Sequence, residues 1–270
     1  MKKIILSACA LSAMFLTSCS NEVDMFETIG TPKGTLNVDC IYDTEMTRGS
    51  QSAATDSWTW VIKANETELQ EGDNSIAEGT YTVTASNYAD LTAALAANKD
   101  DNEKAWGDAF YSGSQEGVKV TKGQSKTVSI YCGRAQNARL KTTFNFNSLE
   151  SFTDVKLIAD IDVSEPSHIG RKLEFNTTTP TDKFAYFEAN KTIKCKLSYT
   201  FNSTTSTTST TQEKTFNFTL AGPATENVID VKTNNNGTIT ISLTNITYEE
   251  EFGTGNSEEI TIDAATGTVL

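Results

Sequence analysis

Residues 34–42 read GTLNVDCIY, and the fold class turns on how that stretch alternates. Leu36, Val38 and Cys40 fall on one side of an extended chain, while Asn37 and Asp39 fall on the other. That period of two is what a half-buried β-strand requires. The same pattern recurs in SWTWVIKA (57–64), GTYTVTAS (79–86), GVKVT (117–121) and KTVSIYC (126–132). It continues in ARLKTTFNF (138–146), DVKLIADIDV (154–163), RKLEF (171–175), KFAYFEA (183–189), TIKCKLSYTF (192–201), KTFNFTL (214–220), NVIDVKT (227–233), TITISLT (238–244) and EEITID (258–263). Turn-forming stretches such as AEG and TKGQ separate several of these runs. The expectation is an all-β fold whose sheets each have one core face and one wet face.

Two stretches break the alternation. ADLTAALAAN (89–98) is rich in strong helix formers and predicts one short surface helix inserted between strands. NSTTSTTSTTQE (202–213) is of low complexity and reads as a hairpin tip or loop that carries no chemistry. The strands divide at Gly133 to Asn137 into two tandem β-sandwich domains, 34–135 and 136–270.

Outward from the first strand lies the start of the chain. Lys2 and Lys3 precede a mostly apolar run, Ile4 to Leu16, which is shorter than the roughly eighteen residues a spanning helix needs. That order of features is a secretory signal, 1–18. Its last residues, Leu16-Thr17-Ser18-Cys19, resemble the lipobox of bacterial lipoproteins, which implies a diacylglycerol on the Cys19 thiol; the plain alternative is an ordinary signal cut nearby. Residues 19–33 then form a polar tether. The acidic residues just past Cys19 resemble the export signal of Bacteroidota lipoproteins, so the expected address is the outer membrane, lipid-anchored, on the cell surface.

The 270 residues carry 22 basic and 35 acidic side chains, a net charge of −13. Loss of the signal removes two lysines and leaves 20 against 35, or −15. Such a surface repels nucleic acid phosphates and offers no basic face to an anionic bilayer. Once Cys9 and Cys19 are set aside, Cys40, Cys132 and Cys195 remain, each at the parity of its apolar neighbours. Small buried core residues are one reading. A Cys40–Cys132 disulfide closing the first domain is the other; it needs adjacent strands and Cβ atoms about 4 Å apart.

Catalytic parts are scarce. The single histidine, His168, lies in the polar SEPSHIGRK stretch, and neither a G-x-S-x-G elbow nor an H-E-x-x-H helix occurs. No catalytic residue, metal site or cofactor is therefore expected. Asp100-Asp101-Asn102-Glu103 gathers oxygen atoms but lacks the glycine and spacing of an EF-hand. Trp58, Trp60 and Ile62 share a strand face and read as core. Trp106, Phe110 and Tyr111 lie in a loop between Gly- and Ser-rich turns, where binding residues concentrate, and make the candidate ligand platform, with glycan as the ligand class.

With the strands placed, GTLNVDC, SWTWVIKANETEL, GTYTVTAS, WGDAFYSGS and KFAYFEA together resemble a Bacteroidota lipoprotein family with a domain of unknown function. Met46-Thr47-Arg48-Gly49 resembles the processing step of fimbrillin-like surface proteins and marks Arg48 as the candidate cleavage site. The resemblance implies tandem sandwiches of transthyretin-like or Greek-key type and a non-catalytic role in adhesion or in fimbrial-type structure, with self-assembly by strand addition. The run GNSEEITIDAATGTVL is the candidate strand lender, or simply the last strand of its own domain. A surface glycan-binding lipoprotein of a polysaccharide uptake system is the competing class.

Overall fold

The computed structural model describes residues 31–42, 59–146, 152–161, 171–202, 209–234, 237–247 and 257–270. Cys19, Arg48, Trp58 and His168 lie outside them. The first half holds β1 (Lys33–Ile41), β2 (Val61–Ala64), β3 (Thr67–Leu69), β4 (Gly72–Ala77), β5 (Gly79–Ser86), α1 (Leu91–Leu95), β6 (Ser112–Val120) and β7 (Ser125–Tyr131). The second holds β8 (Asn137–Asn145), β9 (Phe152–Ile161), β10 (Leu173–Asn176), β11 (Ala185–Glu188) and β12 (Thr192–Asn202). It continues with β13 (Ser209–Thr219), β14 (Thr225–Thr233), β15 (Thr238–Thr247) and β16 (Ser257–Asp263). The all-β reading holds, as two sandwiches in series.

In the first sandwich a sheet ordered β4-β1-β7 faces one ordered β3-β2-β5-β6. The alternation of GTLNVDCIY does what the period of two demands: Leu36 and Val38 are fully buried, packed with Ile62, Val83, Val120 and Ile130. Strand β1 is the middle strand of its sheet, antiparallel to β4 and parallel to β7. A parallel neighbour demands a crossover, and the chain supplies it by building the opposite sheet between β1 and β7. Gly34 is required where β1 enters: a Cβ there would lie 2.4 Å from the Thr121 carbonyl oxygen.

The second sandwich repeats the device. Sheets ordered β10-β9-β12-β13 and β11-β8-β14-β15-β16 enclose the larger core, and β8, its first strand, lies antiparallel to β11 and parallel to β14. Tyr199, Phe175, Phe187 and Phe218 are its largest fully buried side chains. Part of the Thr-rich stretch, Asn202 and residues 209–213, is itself strand, in a long hairpin of β12 against β13 in unbroken register from Thr192↔Thr219 to Asn202↔Ser209.

Three details depart from expectation. Strand β6 begins five residues before GVKVT, because Gly117, at φ +68°, sits within the strand where the β5–β6 register shifts, rather than starting it. Strands β3 and β4 were not expected from their polar sequences. The helix is shorter than the 89–98 stretch that predicts it: five residues, with Ala94 and Leu95 buried rather than on the surface. The C-terminal run is docked in its own domain as edge strand β16, and the tail folds back along it, with Leu270 N donating to Thr261 O at 3.0 Å and Asp263 N to Thr268 O at 2.8 Å.

Candidate functional site

The segment between β5 and β6 leaves the first sandwich and reaches the second. Asn87, buried, pins its two ends together: the side-chain amide donates to Ala109 O and its carbonyl accepts from Tyr111 N, each at 2.8 Å. Asp90 caps α1 by accepting from Ala93 N at 2.8 Å, the usual satisfaction of a free helix-start donor. The other end of α1 is held from a distance. Arg171 donates to Leu95 O at 3.0 Å and Ala105 O at 3.2 Å, and to Tyr186 O as well, with its guanidinium over the Phe187 ring. One buried side chain thus joins the insert to β11.

Past the helix, Asp100 organises the turn. Its carboxylate accepts from Asn102 N, Lys104 N and, at 3.1 Å, the Trp106 indole N–H. The indole bond, then those backbone donors, hold its carboxyl below the ordinary carboxylate range. This is what the Asp100 oxygens do, and among the described residues no cluster of His, Cys, Asp and Glu is arranged to hold a metal ion. Trp106 follows, packed edge-on against Phe175 of β10 with ring centroids 5.1 Å apart. Its carbonyl accepts from Tyr186 N at 2.8 Å. Gly107, at φ +77°, lets the backbone pass: a Cβ there would lie 3.1 Å from Tyr186 Cβ.

Where insert and second sandwich meet there is a cavity of about 400 Å³. Asn98, Asp100, Trp106 and Asp108 line one side, Asp182, Lys183, Phe184 and Tyr186 the other. The Lys183 ammonium lies over the Trp106 ring, 3.7 Å from its centroid. Asp108 accepts from the Tyr88 hydroxyl at 2.7 Å, and burial together with that carboxylate pushes the Tyr88 phenol up. Burial raises Tyr186 too, against the opposing pull of Arg139. Behind Tyr186, Arg139 stacks on Phe184 and pairs with Glu226 at 2.6 Å, and Lys141 closes on the other Glu226 oxygen at 2.5 Å. The arrangement positions charge and aromatic faces around one cavity.

The expected platform is not assembled, and this is a correction. Trp106 is only 6 % exposed and belongs to the second core, while Tyr111, 7 % exposed, belongs to the first, edge-on to Tyr42. Phe110, half-buried, lies between them. Large aromatic surface at the junction is used to weld the two cores rather than shown to solvent. The Cys40–Cys132 bridge is likewise not formed: all three described cysteines are free thiols. Cys40 stands opposite Ile130 in the β1–β7 register, two residues short of Cys132, whose thiol instead points to Ala85 O.

Sequence reading missed Arg171, Asp182, Lys183 and Tyr186. One signal was present. KFAYFEA carries aromatic residues at both parities, Phe184 and Tyr186 as well as Phe187, so both faces of that strand had to be covered.

Fold and cavity together define a protein class: an all-β chain of several sheets whose two cores are bridged by an inserted loop. The chain belongs to the family described as domain of unknown function (DUF4493), whose profile matches residues 45–264. No curated protein matches it. Among solved structures it is similar to a candidate adhesin from Bacteroides ovatus, 12 % identical, covering 93 % of this chain and 89 % of that one with a TM-score of 0.32. A fimbrial assembly protein from Parabacteroides distasonis is 11 % identical, covering 88 % and 98 %, TM-score 0.36. A candidate cell adhesion protein from Bacteroides fragilis is 12 % identical, covering 81 % and 100 %, TM-score 0.33. With TM-scores this low, the likenesses carry no weight for the role of this chain.

Proposed function

We propose that this is a non-catalytic, lipid-anchored protein of the bacterial cell surface with an adhesive or fimbrial-type structural role, in which β1 is an exchangeable strand. The observation that carries the reading is the place of β1. It fills the middle of a sheet, inserts Leu36 and Val38 into the core, and pairs on both edges with β4 and β7. It also precedes Thr47-Arg48, follows Cys19, and lies before the family match begins at residue 45. Cleavage after Arg48 would separate the lipid and β1 from everything that follows. A groove between β4 and β7 would be left, with unpaired backbone groups on both sides and an apolar floor, and an extended strand of alternating polarity from another subunit fits such a groove.

The test uses the chain from residue 20 onward, treated with an arginine-specific protease. Assembly predicts ladders on unboiled gels that appear on cleavage after Arg48, fail to appear in Arg48→Ala, and are suppressed by a synthetic peptide of residues 33–42. A cleaved chain that retains β1 and stays monomeric at high concentration refutes it. The glycan-binding alternative is not favoured, since Trp106 and Tyr111 belong to separate cores and form no shared platform.

A further inference from the structure

The junction cavity holds a cation of the chain's own, the Lys183 ammonium. Three carboxylates, Asp100, Asp108 and Asp182, and three aromatic rings, Trp106, Phe184 and Tyr186, share the lining with two lysines. Lys99 is turned to Glu103 at 3.2 Å. Lys183 alone extends over the indole, at a centroid distance of 3.7 Å, well inside the range in which an ammonium gains from the ring quadrupole. The indole itself is fixed by its N–H bond to Asp100, so the ring face is preorganised. Asp182 makes no hydrogen bond or ion pair among the described residues, and it directly precedes Lys183 in sequence. Any ligand stacking on Trp106 has to displace that ammonium, and an incoming cation restores the ammonium–ring attraction that a neutral sugar ring does not.

We infer that the cavity between the inserted loop and β11 is a binding site for an alkylammonium group, with Trp106 as the face that receives it, Asp182 as the free counter-charge, and Lys183 as the resident occupant that an incoming amine must replace. This is independent of strand exchange: it needs neither Arg48 nor β1. A ligand that competes with an internal group binds with an affinity reduced by the fraction of time the site is vacant. With Lys183 assumed to be seated roughly nine-tenths of the time, an external amine is weakened about tenfold.

The experiment is calorimetric titration of the intact chain, wild type, Lys183→Ala and Lys183→Met, with Nα-acetyl-lysine amide. Its Nε-acetylated analogue, equal in shape and lacking the charge, is the neutral control. Removal of the resident ammonium should tighten binding of the charged probe about tenfold in both variants. Acetylation of the probe should abolish it, and adding Asp182→Asn to either variant should weaken it severalfold. Glucosamine against glucose forms a second arm: if glucosamine binds as the lysine probe does, any compact primary amine suffices, and if only the lysine probe binds, the site takes an unbranched alkyl chain. Equal binding to wild type and both variants overturns the inference, as does equal binding of the charged and acetylated probes. Circular dichroism confirms that each variant is folded before titration.

Discussion

Thr142 shows how far a single side chain can depart from the logic of its strand. In β8 the core face runs Ala138, Leu140, Thr142, and the threonine hydroxyl is buried with no hydrogen-bond partner. A desolvated, unpaired hydroxyl costs free energy that an isosteric methyl does not. Thr142→Val is therefore expected to stabilise the protein by about 1 kcal/mol, read as a higher urea midpoint with an unchanged slope. A lower midpoint would mean that the hydroxyl has a partner after all. The parity of Thr142 was legible in ARLKTTFNF; its missing partner was not, because that depends on which atoms of the facing sheet come near.

At the scale of elements, the strands that announced themselves were those with a core-facing stripe of their own. GTYTVTAS became β5 without adjustment, because Val83 and Ala85 alternate cleanly into the core. Strand β4, GDNSIA, buries only Ile76 and is held by its partner: it pairs with β1 over six residues and Asn74 Nδ2 reaches Leu36 O of β1 at 3.4 Å, while the same amide donates to Gln70 O at 2.7 Å within its own turn. Such a strand is made by its neighbour, so its own composition says little. The same holds for the site. Trp106 was picked out from the sequence, yet the residues that complete its surroundings, Arg171 and residues 182–186, come from far along the chain, and no local period relates them. Arg171 gives this a test. It is 7 % exposed and supplies donors to Leu95 O, Ala105 O and Tyr186 O. Arg171→Met keeps the volume of the stem and strands three carbonyls, for an expected loss of about 3 kcal/mol. Lysine, with one ammonium in place of a planar fork, should recover less than half of it. Proteolysis within residues 88–108 should accelerate in both variants before the sandwiches unfold; cleavage there at the wild-type rate would show that the insert is held by its packing alone.

Across the whole molecule, acidic groups outnumber basic ones, yet burial also displaces neutral groups, and three of these lie in the two cores. Burial pushes the thiol of Cys132, in the first core, from 9.0 up to about 11. In the second core it pushes Cys195 from 9.0 to about 12 and the Tyr199 phenol from 10.0 to about 12, the latter with the Asp263 charge adding to the effect. Each folded pKa is raised, so the unfolded chain gives up its proton first. The stability these neutral groups allow is complete below pH 9 and declines as pH rises from there toward about 12. The expected outcome is a urea midpoint that does not fall between pH 7 and pH 8.5 and drops steadily above 9. A matched pair separates this from general repulsion among the 35 acidic residues, which are already ionised at neutral pH. Cys195→Ala lowers stability at pH 7 by leaving space in a close-packed core, but it removes one titrating group, so its midpoint should fall less between pH 9 and 11 than that of the parent. Parallel curves for parent and variant would show that the thiol ionises alike in both states and that Cys195 is not sealed in the core.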